Sequence, residues 1–276
     1  MSLLSRVMQS MERIAPLSLA ELSWDNVGLL LEAPLSRAAA HQVFLTIDLT
    51  DNVLDEALSN PSVGVIVAYH PPLFRSFKRL QMADRNQRIA LKCAAAGVSI
   101  YSPHTSLDSF EGGINDWLAS GLRVASKAPI TLKENPPAGY EGSGSGRICQ
   151  LQRPIPLCEL VNQIKLHLGL SHLRVASTDP SMAQLVRTVG ICAGSGSSVL
   201  GGTKADVYWT GEMSHHEVLD AVASNTSVIL CEHTNTERGF LSAVLKPRLE
   251  ELLNNDGGPA ATVLCSTADT DPLRIV

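Results

Sequence analysis

The sequence predicts an α/β protein with two related domains, each built on a largely parallel or mixed central sheet that helices flank. Strand-like and helix-like segments alternate through the first half of the chain, which is typical of a parallel sheet. A second alternating series follows a stretch rich in Pro, Gly and Ser. The chain of 276 residues, 45% hydrophobic, can bury one large core or two modest cores.

In the first half, three apolar β-rich segments are predicted as strands at residues 42–49, 63–70 and 98–101. Helices are predicted between and after them at residues 52–60, 86–97 and 114–122, the first capped by Asp51 and the second ended by Gly97. The strand over residues 63–70 is apolar throughout, as expected of a strand that is buried on both faces.

Residues 135–146 form the Pro/Gly/Ser-rich stretch and indicate a domain boundary. We predict domains over residues 1–127 and 128–276, and the C-terminal helix can pack back on the first domain. Second-half strands are predicted at 172–178, 186–194, 205–211, 227–233 and 261–267, with helices at 159–170, 215–224 and 237–253. VIVAYH and VILCEH, each a buried strand ending in His, hint at internal duplication.

Composition restricts the function classes. With 27 acidic and 22 basic residues the net charge is −5, which argues against a general nucleic-acid-binding protein. No apolar run reaches the roughly 18–20 residues that cross a bilayer, so we expect no membrane association. Six scattered cysteines without a Cys-x-x-Cys pair are typical of buried thiols in a reducing compartment. We expect a cytoplasmic protein, with the nucleus and the mitochondrion left open.

Polar side chains follow several predicted strands at the point where each strand ends. His70 closes the second strand, Asp48 lies near the end of the first, and His233 closes the strand SVILCEH. His104 and Asp108 follow the third strand, and Glu237 follows His233 by four residues. Ligands bind at the carboxyl ends of parallel strands, and imidazole with carboxylate suits a catalytic divalent-metal site.

Each of these side chains also has a structural interpretation. His70 precedes two prolines and fits a turn, His104 fits a hydrogen bond to a loop carbonyl, and Asp108 fits a turn or a helix cap. Thr234-x-x-Glu237 is a capping-box pattern ahead of an apolar run. Spacing alone does not separate capping from metal binding.

Two further patterns each have two interpretations. His215 and His216 follow Ser214, which with Glu217 makes another capping-box pattern, so they are either first-turn helical residues or contributors to a site. The Gly-rich residues 194–202 either form a plain loop or cradle a phosphate through backbone N–H groups.

Six segments in order resemble one family. They are SWDNVGLLLE, LTIDLT, VIVAYHPPLF, YSPHTSLDSFEGGINDWLASGL, ADVYWTGEMSHHEVLDA and CEHTNTERGFL. The chain is similar to the NGG-one-interacting factor three family, also known as GTP cyclohydrolase I type 2 homologues. The resemblance implies paired α/β domains, assembly as a homohexamer and a dinuclear metal site between the domains.

The resemblance also assigns residues. It implies that one or two divalent ions (Zn, Fe, Mn, Co or Ni) are bound by His70, Asp108, His233 and Glu237. Tyr69 stands where the family often has a second histidine, so a second ion loses one nitrogen ligand. His104 is a candidate additional ligand or a residue that orients Asp108.

The implied function is a metal-dependent hydrolase of a nucleotide-like or other small heterocyclic substrate. If the cyclohydrolase name applies, water attacks the imidazole carbon of guanine and formate is lost, with His104, His215 or His216 shuttling protons. The alternative is a non-enzymatic, metal-containing interaction protein that binds a transcriptional adaptor.

Overall fold

The computed structural model describes residues 1–274. The described chain divides into two compact units: unit 1 contains residues 1–107 and 240–270, and unit 2 contains residues 108–239 and 271–274. Each unit has a sheet with flanking helices, which confirms the predicted α/β fold. The predicted boundary between residues 127 and 128 falls inside unit 2.

Strands and helices alternate along most of the described chain. The strands are β1 (Gly28–Leu31), β2 (Gln42–Thr46), β3 (Val63–Ala68), β4 (Ser99–Ser102), β5 (Val124–Ala128), β6 (Thr131–Leu132), β7 (Gly144–Ser145), β8 (Arg147–Pro156), β9 (Arg174–Ala176), β10 (Leu185–Ser195), β11 (Val207–Glu212), β12 (Ser227–Leu230) and β13 (Thr262–Cys265). The helices are α1 (Leu3–Ile14), α2 (Asp51–Ser59), α3 (Arg85–Ala96), α4 (Thr105–Ser109), α5 (Ile114–Ser120), α6 (Leu157–Leu168), α7 (Ser197–Leu200), α8 (His215–Ala223), α9 (Arg238–Phe240) and α10 (Lys246–Asn254).

The sheet of unit 1 has the strand order β1-β4-β3-β2-β13. Strands β4, β3, β2 and β13 run parallel, and only the edge strand β1 is antiparallel. The three strands predicted in the first half are confirmed, although their bounds differ from those predicted. Because β2 and β3 end at Thr46 and Ala68, Asp48 and His70 lie just beyond the carboxyl ends of the strands.

Helix caps in unit 1 follow side-chain chemistry. Thr50, rather than the predicted Asp51, is the N-cap of α2, since its hydroxyl accepts a hydrogen bond from the Val53 amide. Gly97 ends α3 as predicted, in the left-handed conformation with φ +71°. A Cβ at Gly97 would lie 2.5 Å from the Leu35 carbonyl oxygen, so glycine is required there.

The sheet of unit 2 has the order β5-β8-β10-β11-β12-β9 and is mixed. Strands β10, β11 and β12 run parallel, while β5, β8 and β9 are attached by antiparallel pairs. Strand β8 was not predicted, because it interleaves Arg and Gln with apolar residues and contains two prolines. Strand β5 was not predicted either, because its residues are mostly exposed.

A buried ion pair lies inside unit 2. Arg147 is 2% exposed and Asp116 is 4% exposed. Arg147 donates to the Asp116 carboxylate through Nη2 at 2.7 Å and Nε at 3.1 Å, and Nη1 donates to the carbonyls of Gly144 and Gly146. Burial alone would raise the pKa of Asp116, but the hydrogen bonds from Arg147 and Lys127 lower it. The pair therefore fixes the turn before β8 against α5.

The predicted helix over residues 237–253 is interrupted. The structure contains the short helix α9, a π turn over Leu241–Leu245 and then α10. Pro247 stands in the first turn of α10, where its missing N–H costs least. The C-terminal segment then returns to unit 1, where β13 pairs in parallel with β2.

All six cysteines are free. Burial raises the pKa of the Cys93, Cys149 and Cys231 thiols to about 12, so these groups stay protonated at neutral pH. Cys158 is exposed, contrary to the expectation that the thiols are buried. Within residues 1–274 no helix has both the length and the apolar character to cross a bilayer.

Glu56 generates a prediction about pH. Partial burial alone would raise the pKa of Glu56, but hydrogen bonds from Ser266, Thr267 and Ala268 lower it to about 2. A carboxylate whose pKa is lower in the folded chain stabilises the fold above its unfolded pKa, and this contribution is lost as pH falls through the folded pKa. We expect the free energy of unfolding of the Glu56→Gln variant to fall less than that of the wild type between pH 5 and pH 2.5.

Urea unfolding at both pH values tests this expectation. Glu251→Gln, at an exposed position of α10, is the matched control and should retain the pH dependence of the wild type. Equal pH dependence of Glu56→Gln and the wild type would contradict the interpretation.

Candidate metal centre

His70 and Asp48 in unit 1 lie after adjacent parallel strands. Nδ1 of His70 is 3.0 Å from Oδ1 of Asp48, and the His70 amide donates to the carbonyl of Ile47. Because the carboxylate accepts the Nδ1 proton, Nε2 of His70 carries the lone pair that a metal ion would use. The strand order predicts that these two side chains meet at the sheet edge, and the structure brings them together.

His104 has the same arrangement with a different carboxylate. Its Nδ1 is 2.7 Å from Oδ1 of Asp25, whose side chain is fully buried. Thr105 donates to the second oxygen of Asp25 at 2.5 Å through its hydroxyl. Burial alone would raise the pKa of Asp25, but the hydrogen bond and charge of His104, with the bond from Thr105, lower it. Asp25 was not predicted as a site residue, although the segment SWDN that contains it carries part of the family resemblance.

Tyr69 packs against both of these histidines. Its ring centroid lies 4.9 Å from that of His70 and 5.4 Å from that of His104, and the two imidazoles are 5.4 Å apart in an edge-to-face arrangement. Tyr69 is 2% exposed. The Tyr69 ring therefore restrains the imidazoles of His70 and His104. Tyr69 occupies the position at which the family resemblance implies a second histidine.

In unit 2, His233 repeats the pattern at the ends of β11 and β12. Nδ1 of His233 is 2.8 Å from Oε1 of Glu212, the last residue of β11. Its other ring nitrogen, Nε2, lies 3.4 Å from Oε1 of Glu237. Glu237 is only 1% exposed, and a buried carboxylate is costly unless positive charge or donors face it. One imidazole nitrogen and one carboxylate oxygen therefore lie side by side in unit 2.

The capping-box interpretation of Glu237 is wrong. Thr234–Thr236 forms a 3₁₀ turn without a side-chain cap. The Thr234 hydroxyl donates to Asp271 at 2.7 Å and accepts from Nη1 of Arg238 at 2.8 Å. The Glu237 carboxylate lies instead beside His233.

Gly194 in β10 provides the space for this pair. A Cβ at this position would lie 2.8 Å from both Oε1 of Glu237 and Nε2 of His233. The backbone of Gly194 has φ +62°, and its amide donates to the Thr236 hydroxyl at 2.8 Å. Among the Gly-rich residues 194–202, this glycine thus leaves room at the two candidate ligand atoms.

Asp108 is connected through Asn115 to β10, the strand that contains Gly194. The backbone carbonyl of Asp108 accepts a hydrogen bond from Nδ2 of Asn115 at 3.1 Å, while Oδ1 of Asn115 accepts from the Ala193 amide at 2.9 Å. Burial, together with the charges of Asp108 and Glu237, raises the pKa of the neighbouring Cys192 thiol. Asn115 therefore ties the backbone at Asp108 to β10, the strand that also contains Gly194.

His215 and His216 occupy the exposed first turn of α8. The predicted capping box is confirmed: the Ser214 amide donates to Glu217 at 2.7 Å, and the Ser214 hydroxyl accepts from the Glu217 amide. The structural interpretation of these histidines therefore has direct support. Their role in proton transfer stays a prediction.

Fold and site define a class of protein. It is a mixed α/β protein with two sheets in which carboxylates orient histidines at the ends of parallel strands. The family model described as Duf34/NIF3 (NGG1p interacting factor 3) matches residues 2–272. The chain belongs to this Duf34/NIF3 family, as the resemblance implied.

Individual relatives agree with this assignment. The protein NIF3 homolog of Schizosaccharomyces pombe is 46% identical over 98% of this chain and 96% of its own. The NGG1-interacting factor 3 of Saccharomyces cerevisiae is 38% identical over 99% of this chain and 96% of its own. A Bacillus cereus protein related to NIF3 superposes with a TM-score of 0.81 at 20% identity, covering 99% and 98%. Reduced HcgD from Methanocaldococcus jannaschii superposes with a TM-score of 0.73 at 21% sequence identity. The match covers 95% of this chain and 96% of the HcgD chain. These two likenesses show the fold.

Gly194→Ala tests the space beside His233 and Glu237. The added methyl group would displace one or both candidate ligand atoms, so we expect metal affinity to fall on the order of tenfold, as for changes next to metal ligands. Gly202→Ala is the matched control, since Gly202 also has a positive φ (+78°) but has no atom within 4 Å of the position that a Cβ would take. Elemental analysis and metal titration of both purified variants give the comparison, and equal affinities would contradict this role of Gly194.

Proposed function

We propose that this protein is a metal-dependent hydrolase in which His70, Asp108, His233 and Glu237 bind one or two divalent ions. The observation that carries the proposal is the shared orientation of His70 and His233. In each residue Nδ1 is hydrogen-bonded to a carboxylate, so the lone pair of Nε2 is the one that can bind a metal ion. Histidine ligands of metals in proteins are commonly oriented in this way.

The chemistry of the donor set fits a divalent cation. The proposed donors include two imidazoles and one carboxylate that could hold a metal ion, from His70, His233 and Glu237. Asp108 adds a second carboxylate. Imidazole and carboxylate suit Zn, Fe, Mn, Co or Ni. Because Gly194 has no side chain, space remains beside Nε2 of His233 and Oε1 of Glu237 in which an ion could contact both atoms.

The protein's own residues supply orientation and proton transfer. Asp48 and Glu212 hold the two candidate imidazole ligands, and the buried Glu237 provides negative charge. His104, whose Nδ1 contacts Asp25, would accept or donate a proton at Nε2 during hydrolysis. A bound divalent ion supplies Lewis acidity, which lowers the pKa of water toward about 7.

The proposed substrate is nucleotide-like or another small heterocycle, and GTP is the first compound to test. Purified protein loaded with Zn, Fe, Mn, Co or Ni in turn should release formate from GTP. His233→Ala and Glu237→Gln should lower both metal content and turnover by at least about tenfold. His41→Ala, at an exposed histidine of unit 1, is the control and should change neither.

His104→Gln separates proton transfer from metal binding. Because His104 is proposed as the shuttle, this variant should lose about 10²–10⁴-fold in turnover while it keeps its metal. His215→Ala and His216→Ala test the two exposed alternatives in the same assay. Absence of turnover with every metal and with a panel of nucleotides would reject the hydrolase proposal.

A second candidate function is a metal-containing interaction protein. The name of the Saccharomyces cerevisiae relative, NGG1-interacting factor 3, supports a protein partner. In this case the metal would stabilise the fold, and a homohexamer would present a repeated surface. His233→Ala should then lose metal but keep the oligomeric mass by light scattering and keep partner binding in a pull-down with the matching NGG1 protein. Turnover by the metal-loaded protein would favour the hydrolase instead.

A further inference from the structure

Two exposed aromatic rings stand together on unit 1. Trp24 is 57% exposed and Phe74 is 43% exposed, and their ring centroids lie 6.4 Å apart at an angle of 59°. Nδ2 of Asn26 donates a hydrogen bond to the carbonyl of Leu73, which ties the two chain segments together. We call the pair Trp24 and Phe74 the aromatic platform. Large rings are normally buried, so a fixed exposed pair indicates a binding surface.

Unpaired cations follow the platform in sequence. Residues 74–86 are all exposed, and Arg75, Lys78 and Arg79 lie within the first six of them. None of these three side chains makes an ion pair or hydrogen bond with another residue in the described range 1–274. The cations stand out because the chain as a whole has a net charge of −5. Their charge is available to an anionic ligand.

The platform adjoins a histidine of the candidate centre. The rings of Trp24 and His104 lie 6.1 Å apart in an edge-to-face arrangement at 87°. Asp25, the residue after Trp24, holds Nδ1 of His104. The His104 imidazole therefore borders the aromatic platform through its contact with Trp24.

We propose that the aromatic platform binds the base of a nucleoside triphosphate and that Arg75, Lys78 and Arg79 bind its phosphates. A heterocyclic base stacks on indole and phenyl rings, while the three cations offset most of the negative charge of one triphosphate chain. Tripolyphosphate alone would leave the rings unused, and a neutral heterocycle would leave the cations unused. A long nucleic acid would meet the repulsion of the net negative chain. The inference rests on the proposed function for its choice of substrate, but binding itself does not require a metal.

Tryptophan fluorescence measures this binding directly. Of the three tryptophans, Trp209 is fully buried and Trp117 is partly buried, so a ligand that stacks on the platform quenches mainly Trp24. Full-length protein is titrated with GTP, guanosine and tripolyphosphate in the presence of a chelator. GTP should quench and bind most tightly, guanosine should quench with lower affinity, and tripolyphosphate should compete without quenching.

Variants assign the two halves of the site. Phe74→Leu keeps the Trp24 fluorophore and should weaken GTP binding on the order of tenfold, as expected for a lost stacking contact. Arg75→Gln/Lys78→Gln/Arg79→Gln should abolish the preference for GTP over guanosine and flatten the salt dependence. Leu166→Ala and Arg187→Gln, at exposed positions of unit 2, are the matched controls and should bind GTP like the wild type.

Several outcomes would overturn the inference. They are no quenching at millimolar GTP, a GTP affinity that Phe74→Leu leaves unchanged, and binding of single-stranded RNA or anionic vesicles when GTP does not bind. A mass by light scattering that shows the platform variants to be monomers of a wild-type oligomer would assign this surface to a second copy of the chain. His233→Ala separates this inference from the proposed function: intact quenching with lost metal would retain the nucleotide site even if hydrolysis failed.

Discussion

Hydrogen bonds between histidine Nδ1 atoms and carboxylates are the constraint on which the candidate centre depends. They occur at His70, His104 and His233, in each case with the carboxylate of a residue far away in sequence or on the neighbouring strand. Each bond fixes the ring and selects the tautomer in which Nε2 is the acceptor. Without these bonds, the imidazoles would sample both tautomers and more ring orientations, and ordering them around a cation would cost more entropy.

Parallel strands explain how much of this arrangement could be predicted. Neighbouring strands of a parallel sheet end at the same edge, so polar residues after β2 and β3, or after β11 and β12, must approach one another. This rule was enough to single out His70, Asp48 and His233. It could not find Asp25, which reaches His104 from a loop 79 residues away. Contacts of that kind depend on tertiary packing and leave no periodic signal.

Composition limited the other predictions. Strand β8 was missed because a half-exposed antiparallel strand carries Arg and Gln on its open face, and because prolines at 154 and 156 suggest a loop. The Pro/Gly/Ser-rich stretch over residues 135–146 suggests a domain boundary, yet β5, before it, pairs with β8, after it. A loop rich in Gly and Ser marks local freedom of the backbone. Such a loop can also connect two strands of the same sheet, as it does between β5 and β8.

The return of the chain to unit 1 has a consequence for synthesis on the ribosome. Strand β2 emerges early, but its parallel neighbour β13 is made near the end of translation, after all the strands of unit 2. Until then one side of β2 has no partner, and unpaired strand edges invite association with other chains. The second unit can complete its own sheet first. The open edge of β2 is therefore exposed to association with other chains until β13 has been made.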